Sequence, residues 1–345
     1  MGLNHRFSYQ NGPFKVAVIK SQGQIDITYP SQEQICPLLL HRRYVSQRNP
    51  QNRLRNILSI LTATVVLLFF GCLDQKFYQA NHIIYEAPDN YNLQYEEVLF
   101  SSKDGTKLYG WFIPAIGDAI GTIIYFHGNY GNLTYYFNQI YWLPSHGFNL
   151  FTFDYRGYGR SGGTPDRVGI YEDCVAAIEY IISRRDIDNG RIFVFAQSLG
   201  GANAITAIAN NKFLGIRAIA LEGTFYSYRT EARDVMISSV RKHIGEIPCL
   251  SMQIWPVSFF AVSDCYSPGK VIDQLPPVPL LLIHCASDSI VPYHHCERLY
   301  KQAKEPKQMW TIKECNHLDV FTHKQYGHKY RQKLVDFFKN SGKEY

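Results

Sequence analysis

A serine between a short apolar run and an alanine-rich run most strongly limits the folds open to this chain. Residues 191–195, Arg-Ile-Phe-Val-Phe, predict a buried strand, and residues 202–209 predict a helix. Between them lie residues 196–201, Ala-Gln-Ser-Leu-Gly-Gly, with Ser198 in the third position. A strand, a sharp turn with serine at its apex and a helix form the context of a nucleophile elbow, where small residues allow other backbone to pass close by. The alternative is a serine that caps an ordinary helix.

A nucleophilic serine requires backbone N–H groups that bind the oxyanion of the reaction intermediate, and the sequence offers two. Residues 120–126 are apolar and lead into residues 127–132, His-Gly-Asn-Tyr-Gly-Asn. A glycine-containing loop after a strand can point a backbone N–H at a nascent oxyanion, and we predict that Asn129 supplies it. The second donor would be the N–H of Leu199, directly after the serine.

The acid and the base are expected further along the chain. Residues 278–284 form another apolar strand pattern, and Asp288 lies in the loop that follows. A further strand-like run precedes His317. An aspartate in such a loop is well placed to hold a histidine by its ring N–H, with Asp319 as a weaker alternative acid. The chain order Ser198, Asp288, His317 is the Ser…Asp…His order of α/β-hydrolases.

Taken together, these motifs resemble the α/β-hydrolase superfamily over residues 91–340. The most similar branch contains esterase-, thioesterase- and serine-aminopeptidase-like enzymes with a His-Gly-Asn-x-Gly-Asn oxyanion loop, and residues 153–163 match the loop after its fourth strand. The resemblance implies a serine hydrolase whose catalytic triad needs neither metal nor organic cofactor. The chain departs from the family pattern at Ala196, where glycine is usual, and at Asn316, where glycine often precedes the histidine.

Alternating strand and helix patterns predict an α/β fold, with a mostly parallel central sheet covered by helices on both faces. Residues 95–101 and 107–113 flank an Asp-Gly turn, which predicts a β-hairpin. The alternation stops between Leu221 and Val278. An insertion there lies over the active site in this fold, so residues 224–275 or so are predicted to form a helical cap. Its apolar side chains serve either ordinary packing or the wall of an acyl-binding pocket.

The basic charge of the chain is confined to its first part. Residues 1–56 contain eight lysine or arginine and two aspartate or glutamate residues, whereas the rest of the chain is balanced within a total net charge of +6. A neutral catalytic domain gives no basis for nucleic-acid binding. Polar and without periodicity, residues 1–56 are predicted to be a largely disordered leader. Residues 74–92 are predicted to be a connector and residues 93–340 the catalytic domain.

An apolar run, residues 57–73, separates the leader from the connector. It contains no charged residue and has about the shortest length that spans a bilayer, so a membrane anchor is predicted. Arginines before it and Asp74 after it predict a catalytic domain on the exported side, periplasmic or extracellular. The run also fits the apolar core of a signal peptide, with Cys72 as a candidate for lipidation. A buried core helix is the remaining alternative, and the domain would then be cytoplasmic.

Eight cysteines and twelve histidines raise the questions of disulfides and metal binding. We expect free, buried thiols, because a domain of this size does not need disulfides. A zinc site would require the residues around 284–285, 294–296 and 315–317 to converge. No Cys-x-x-Cys or His-Glu-x-x-His pattern supports it, so no metal is expected.

The expected substrate is a small acyl ester or thioester, as for a carboxylesterase or lipase. One alternative is a serine aminopeptidase, which should present an acidic residue to the substrate amine, with Glu222, Glu231 and Glu246 as candidates. The other is a membrane-tethered binding protein that has lost catalysis on the same fold.

Overall fold

The computed structural model covers most of the predicted catalytic domain. It describes residues 17–21, 24–28, 77–245, 254–256, 258–259 and 262–341. The apolar run 57–73, the lipidation candidate Cys72 and Glu246 lie outside the described residues. By its internal contacts the chain divides into two units, Met1–Thr62 and Ala63–Tyr345.

In the first unit the described backbone forms one hairpin. Strand β1 (Ala17–Ser21) pairs antiparallel with β2 (Gln24–Thr28). These ten residues lie within the predicted leader, and their Val-Ile and Ile-Asp-Ile-Thr segments are rich in β-branched side chains, which favour strands.

The second unit is built on an eight-stranded sheet. The eight strands are β4 (Glu96–Ser101), β5 (Lys107–Ile113), β6 (Gly121–Phe126), β8 (Phe148–Phe153), β9 (Ile192–Gln197), β10 (Ile216–Glu222), β11 (Leu280–Cys285) and β12 (Lys307–Ile312). Their spatial order is β12-β11-β10-β9-β6-β8-β5-β4. The pairs β4–β5 and β5–β8 are antiparallel, and the other neighbouring pairs are parallel. A separate two-residue pair joins β3 (Gln79–Ala80) to β7 (Tyr130–Gly131).

Helices follow the parallel strands. They are α1 (Leu133–Tyr136), α2 (Arg167–Ser183), α3 (Leu199–Asn211), α4 (Tyr228–Ile244), α5 (His294–Gln302) and α6 (Gly327–Ser341). Short 3₁₀ turns span Pro88–Tyr91, Phe137–Gln139, Pro144–His146, Pro268–Lys270, Ile272–Gln274 and Val320–Thr322. Helix α2 begins where the Asp166 side chain accepts the Gly169 N–H at 2.9 Å, and α4 begins where Ser227 accepts the Thr230 N–H at 3.1 Å.

Apolar side chains pack on both faces of the sheet, since alternate residues of a strand point to opposite sides. Ile124 and Phe126 belong to a core cluster that includes residues of α2, α3 and α5. Ile123 and Tyr125 belong to a second cluster with residues of α6. This is the predicted α/β-hydrolase architecture, with a mostly parallel sheet and helices on both faces. None of the helices in the described part of the chain has the length and apolar character to cross a membrane.

Parallel strands place their carboxyl ends along one edge of the sheet, so the loops after β6, β9 and β11 lie together at that edge. These loops carry Asn129, Ser198 and Asp288. The predicted cap region contains α4, and the structure describes only parts of the remainder.

Candidate active site

Ser198 occupies a strained turn between β9 and α3. Its backbone has φ 52° and ψ −117°, outside the regions that a serine readily adopts. The Ser198 N–H donates to the Glu222 carbonyl of the neighbouring strand at 2.9 Å. The serine side chain makes no capping hydrogen bond to α3, so it is not an ordinary helix cap. The turn instead presents the hydroxyl away from the helix, as an elbow does.

Ala196, in the place of the usual glycine, lies inside strand β9. It pairs with Leu221 on one side and with Phe126 on the other, and its side chain is fully buried. A methyl group fits this strand position because the unusual backbone angles begin only at Ser198. The departure from the family pattern therefore leaves the turn itself intact.

The His317 ring lies between the other two predicted triad side chains. Its Nδ1 atom is 2.7 Å from Oδ2 of Asp288, and its Nε2 atom is 3.1 Å from Oγ of Ser198. A carboxylate can only accept, so Nδ1 carries the proton and Nε2 of the neutral ring is free to accept the serine proton. Ser198 and Asp288 are each more than nine-tenths buried. The structure thus brings the three side chains together in the order that acyl transfer requires.

Asp288 is fixed by the loop in which it lies. Its Oδ1 atom accepts the N–H groups of Ile290 at 2.9 Å and Val291 at 2.8 Å, which leaves Oδ2 for the histidine. The alternative acid, Asp319, is exposed and accepts the Asn316 N–H at 2.9 Å. Asp288 is therefore the carboxylate that holds the ring.

A disulfide joins the two loops that carry the acid and the base. Cys285, the last residue of β11, is bonded to Cys315, two residues before His317, with a Cα–Cα distance of 5.3 Å. The expectation of free thiols is wrong for this pair, because the parallel strands β11 and β12 bring the two loops side by side. Among the described residues Cys174, Cys265 and Cys296 are free.

Asn316 makes a second link between the same loops. Its Oδ1 atom accepts both the backbone N–H and the hydroxyl of Ser289 at 2.9 Å. A glycine at this position would have no such side chain. The departure from the family pattern therefore adds a contact beside the acid.

The start of α3 lies close against the end of β6 and the loop that follows it. A Cβ atom on Gly200 would lie 2.3 Å from the Phe126 carbonyl oxygen and 2.5 Å from that of His127. Only glycine permits this approach, which brings the start of α3 against the loop that carries Asn129. Within the described part of the chain, the N–H groups of Asn129 and Leu199 have no hydrogen-bond partner. Both are therefore available to a ligand.

The connector braces the oxyanion loop from outside. The Asn129 side chain donates to the Phe77 carbonyl at 2.7 Å and accepts the Gln79 N–H at 3.3 Å. The Tyr158 hydroxyl lies 3.0 Å from the Asn129 carbonyl oxygen and 2.8 Å from Asn129 Oδ1, and its single hydrogen is shared between these two acceptors. These bonds hold the Asn129 side chain in place and leave its backbone N–H unpaired.

His127 shapes this loop and is unsuited to act as a base. Its ring is fully buried, its Nδ1 donates to the Gly128 carbonyl at 2.7 Å, and burial lowers its pKa to about 3. The nearby Asp154 accepts the Leu133 N–H at 2.7 Å and the Arg160 N–H at 3.1 Å, while burial raises its pKa to about 7. His127 and Asp154 therefore hold the backbone of the surrounding loops through these hydrogen bonds.

One group of described side chains has the donor atoms for a metal ion. The ligating atoms of Asp234, His294 and His295 lie within 4.8 Å of one another. However, Nδ1 of His295 accepts the Tyr226 N–H at 2.9 Å, so the neutral ring carries its proton on Nε2, 3.2 Å from Asp234. A metal ion at Nε2 would have to displace that proton. The tautomer therefore disfavours a metal ion here.

The other residues considered for zinc do not form one donor set. The sulfurs of Cys285 and Cys315 lie close to Asp319, but they are bonded to each other and offer no thiolate. The Nε2 atom of His284 lies 2.8 Å from the Val291 carbonyl, to which it must donate.

Two of the three glutamates considered for a peptidase are enclosed. Glu222 is fully buried and accepts from Gln197 at 2.7 Å and from the Tyr330 hydroxyl at 2.6 Å. Burial raises its pKa. Glu231 is 4% exposed and lies 3.3 Å from His295. Neither carboxylate is open to a substrate amine.

The sequence of this chain is similar to a known protein family and to proteins of other organisms. A family model described as serine aminopeptidase, S33, matches residues 117–258. The chain is 38% identical over 281 residues to the protein YfhR of Escherichia coli K12, covering 80% of this chain and 88% of that protein. It is 34% identical over 232 residues to the alpha/beta hydrolase domain-containing protein WAV2 of Arabidopsis thaliana, covering 66% and 73%.

Solved structures share the fold at lower sequence identity. The esterase Pf2001 of Pyrococcus furiosus superimposes with a TM-score of 0.62 at 21% identity, covering 76% of this chain and 98% of the esterase. At that identity the likeness concerns the fold alone.

Proposed function

Since this chain belongs to the α/β-hydrolase superfamily, we propose that it is a serine hydrolase that cleaves an ester or thioester through Ser198, Asp288 and His317. The proposal rests on one observation. The His317 ring lies at hydrogen-bond distance from both the Asp288 carboxylate and the hydroxyl of a serine in a strained elbow. A protein that only bound ligands would have no need of that arrangement.

In the proposed reaction, Ser198 Oγ attacks the acyl carbon while Nε2 of His317 takes its proton. Asp288 holds the ring by Nδ1–H and stabilises the imidazolium. The tetrahedral intermediate collapses to an acyl-enzyme as the alcohol or thiol leaves with the proton from His317. A water molecule, deprotonated by His317, then hydrolyses the acyl-enzyme and frees the acid.

The oxyanion of each tetrahedral intermediate would be received by the N–H groups of Asn129 and Leu199. Their lack of another partner in the described structure supports this role. A donor of this kind is typically worth about 3–4 kcal/mol in the transition state. No metal ion or organic cofactor enters the proposed mechanism.

An ester substrate is preferred to the N-terminal residue of a peptide. An aminopeptidase needs a carboxylate that faces the substrate amine, and Glu222 and Glu231 are both enclosed by protein partners. The third candidate, Glu246, lies outside the described residues. We therefore place ester or thioester cleavage first and aminopeptidase activity second.

Membrane attachment through residues 57–73 is part of the proposal. An uncharged apolar run between a basic leader and Asp74 supports either an anchor or a lipidated Cys72, with the catalytic domain on the exported side. A disulfide between Cys285 and Cys315 is consistent with that oxidising side.

The proposal is tested by comparing two substrate panels on the full-length chain. One contains p-nitrophenyl esters of rising acyl length, and the other contains aminoacyl p-nitroanilides. We expect turnover of the esters and kcat/KM at least a hundredfold lower for the anilides. Faster cleavage of the anilides would favour the aminopeptidase, and no turnover of either panel would contradict a hydrolase.

A further inference from the structure

The connector ties the predicted membrane segment to the oxyanion loop over a very short length of chain. The apolar run ends at Leu73, and Phe77 already accepts the Asn129 side-chain N–H at 2.7 Å. Four residues of extended chain span at most about 14 Å. If Cys72 is the lipidated residue instead, the limit is about 18 Å. Either route of attachment therefore keeps the oxyanion loop near the bilayer surface, whose headgroup layer is itself about 5–8 Å thick.

The surface beside this loop is apolar and aromatic. Ile83 is 58% exposed, Ile84 is 73% exposed, Tyr130 is 46% exposed and Tyr135 is 38% exposed, and we call these four residues the connector patch. Two consecutive exposed isoleucines therefore lie beside two exposed tyrosines. Tyrosine is enriched at membrane–water interfaces.

Contacts within the described structure hold the connector patch on the oxyanion loop. The Asn132 side chain donates to the Ile83 carbonyl at 2.8 Å. The Tyr135 ring lies 4.9 Å from that of Tyr130 and 5.1 Å from that of Tyr85. The patch is therefore a fixed part of the domain surface, next to the predicted oxyanion donor.

Charge does not explain an approach to the bilayer. Outside the leader the chain has equal numbers of basic and acidic residues, so its net charge provides no attraction to anionic headgroups. The short tether and the connector patch are the features that would bring this side of the domain to lipid.

We propose that the oxyanion-loop side of the active site faces the bilayer to which the chain is attached, and that the substrate is the acyl ester of a membrane lipid. This inference rests on the proposed function. In the reaction, water cleaves the acyl carbon–oxygen bond of the lipid. The oxygen atom of the water enters the released fatty acid, and the deacylated lipid leaves as an alcohol that carries one of the water protons.

The first experiment changes only the tether. The full-length chain is reconstituted into phosphatidylglycerol–phosphatidylethanolamine vesicles that contain a fluorogenic diacyl phospholipid, and soluble p-nitrophenyl butyrate is assayed in the same sample. A helical (Glu-Ala-Ala-Ala-Lys)₄ spacer is inserted after Gln75, which lengthens the tether by about 30 Å. The matched control carries the same spacer after Pro50, on the other side of the apolar run.

We expect the spacer after Gln75 to lower phospholipid turnover at least tenfold and to change butyrate turnover less than twofold, with the control unchanged in both. Phospholipid turnover that survives the spacer would overturn the inference. So would a wild-type chain that hydrolyses butyrate or a vesicle-anchored palmitoyl-cysteine peptide but not phospholipid. A wild-type chain that hydrolyses none of the three would instead contradict the proposed function.

A second variant pair decides the matter if the spacer disturbs the oxyanion loop and lowers both rates. Ile84→Glu places a charge in the connector patch, and Leu214→Glu places one at an 87% exposed leucine beside the amino end of β10, at the opposite edge of the sheet. We expect Ile84→Glu alone to lower phospholipid turnover at least fivefold, with butyrate turnover unchanged. Equal phospholipid turnover in the two variants would refute the membrane-facing orientation.

Discussion

Cys285 and Cys315 are covalently joined directly beside the proposed acid and base. Cys285 ends strand β11 three residues before Asp288, and Cys315 lies two residues before His317. The bond therefore fixes the spacing of the two loops whose side chains meet at 2.7 Å. The acid and base loops are therefore held together by a covalent bond in addition to the hydrogen bond between Asp288 and His317.

Breaking this disulfide should weaken both the fold and the site. The bond closes a loop of 30 residues, for which the chain-entropy relation gives about 3–4 kcal/mol. We expect the double variant Cys285→Ser, Cys315→Ser to lose roughly that much stability in urea unfolding. We also expect kcat/KM for a soluble ester to fall at least fivefold, because the acid and base loops can then move apart.

The matched control for the disulfide variant is Cys265→Ser, which removes an exposed free thiol. It should leave both the unfolding midpoint and kcat/KM within error of wild type. A double variant as active and stable as this control would show that the bond has no role in holding the loops.

Substitution of Gly200 should damage the oxyanion loop selectively. A Cβ atom there would lie 2.3 Å from the Phe126 carbonyl oxygen, so Gly200→Ala must push apart α3 and the loop that carries Asn129. We expect kcat to fall at least a hundredfold with KM changed less than threefold, because the lost interaction belongs to the transition state. Gly162→Ala is the control, since its Cβ would lie 3.6 Å from the nearest atom. Equal kcat values for the two variants would contradict the proposed oxyanion site.

The two aspartates near His317 should differ sharply in their effect on catalysis. Asp288→Asn removes the carboxylate that holds Nδ1–H, and we expect kcat to fall about 10³- to 10⁴-fold. Asp319→Asn changes an exposed side chain that caps the Asn316 N–H, and we expect kcat within threefold of wild type. Steady-state hydrolysis of a p-nitrophenyl ester by both variants measures this, and the reverse ranking would identify Asp319 as the acid.

His295 should make the stability of the fold sensitive to acid. Burial lowers its pKa to about 4 from 6.5, although Asp234 opposes the shift. Between these pH values the unfolded chain binds the proton and the folded chain does not. The neutral His295 therefore makes its full contribution to the free energy of unfolding above pH 6.5, and this contribution is lost as the pH falls towards 4. Between pH 7 and pH 5 the free energy of unfolding should fall by about 2 kcal/mol because of this residue.

The corresponding variant is His295→Asn. We expect it to be less stable than wild type at pH 7 but to lose less stability between pH 7 and pH 5, as measured by urea unfolding. The neighbouring Glu231 and Asp234 remain in both proteins, so the difference between the two pH profiles reports the histidine together with its interaction with these two carboxylates. Parallel profiles would refute the assignment of the acid sensitivity to His295.

The sheet was predictable because its strand signals are local. The hairpin predicted at 95–101 and 107–113 forms as Glu96–Ser101 and Lys107–Ile113, since alternating side chains and an Asp-Gly turn act over a few residues. The convergence of Ser198, Asp288 and His317 was also predictable, because each follows a strand whose carboxyl end lies at the same edge of the sheet.

Features that join distant parts of the chain were not predictable in this way. Pairing of Cys285 with Cys315 depends on two loops that meet only after β11 and β12 align, and their spacing matches no disulfide pattern. The parallel pairing of Gln79–Ala80 with Tyr130–Gly131 is too short to leave a periodic signal. The sequence therefore predicts only a connector, whereas in the structure residues of this segment brace the loop that carries Asn129.

The most direct test of the account is the covalent labelling of Ser198. A fluorophosphonate probe reacts with a serine only when a neighbouring base activates it, so it reports the assembled site and requires no knowledge of the substrate. We predict stoichiometric labelling of the full-length wild-type chain on the peptide that contains Ser198, and no labelling of Ser198→Ala. Absence of labelling in a folded wild-type chain, or labelling that persists in Ser198→Ala, would contradict the proposed nucleophile.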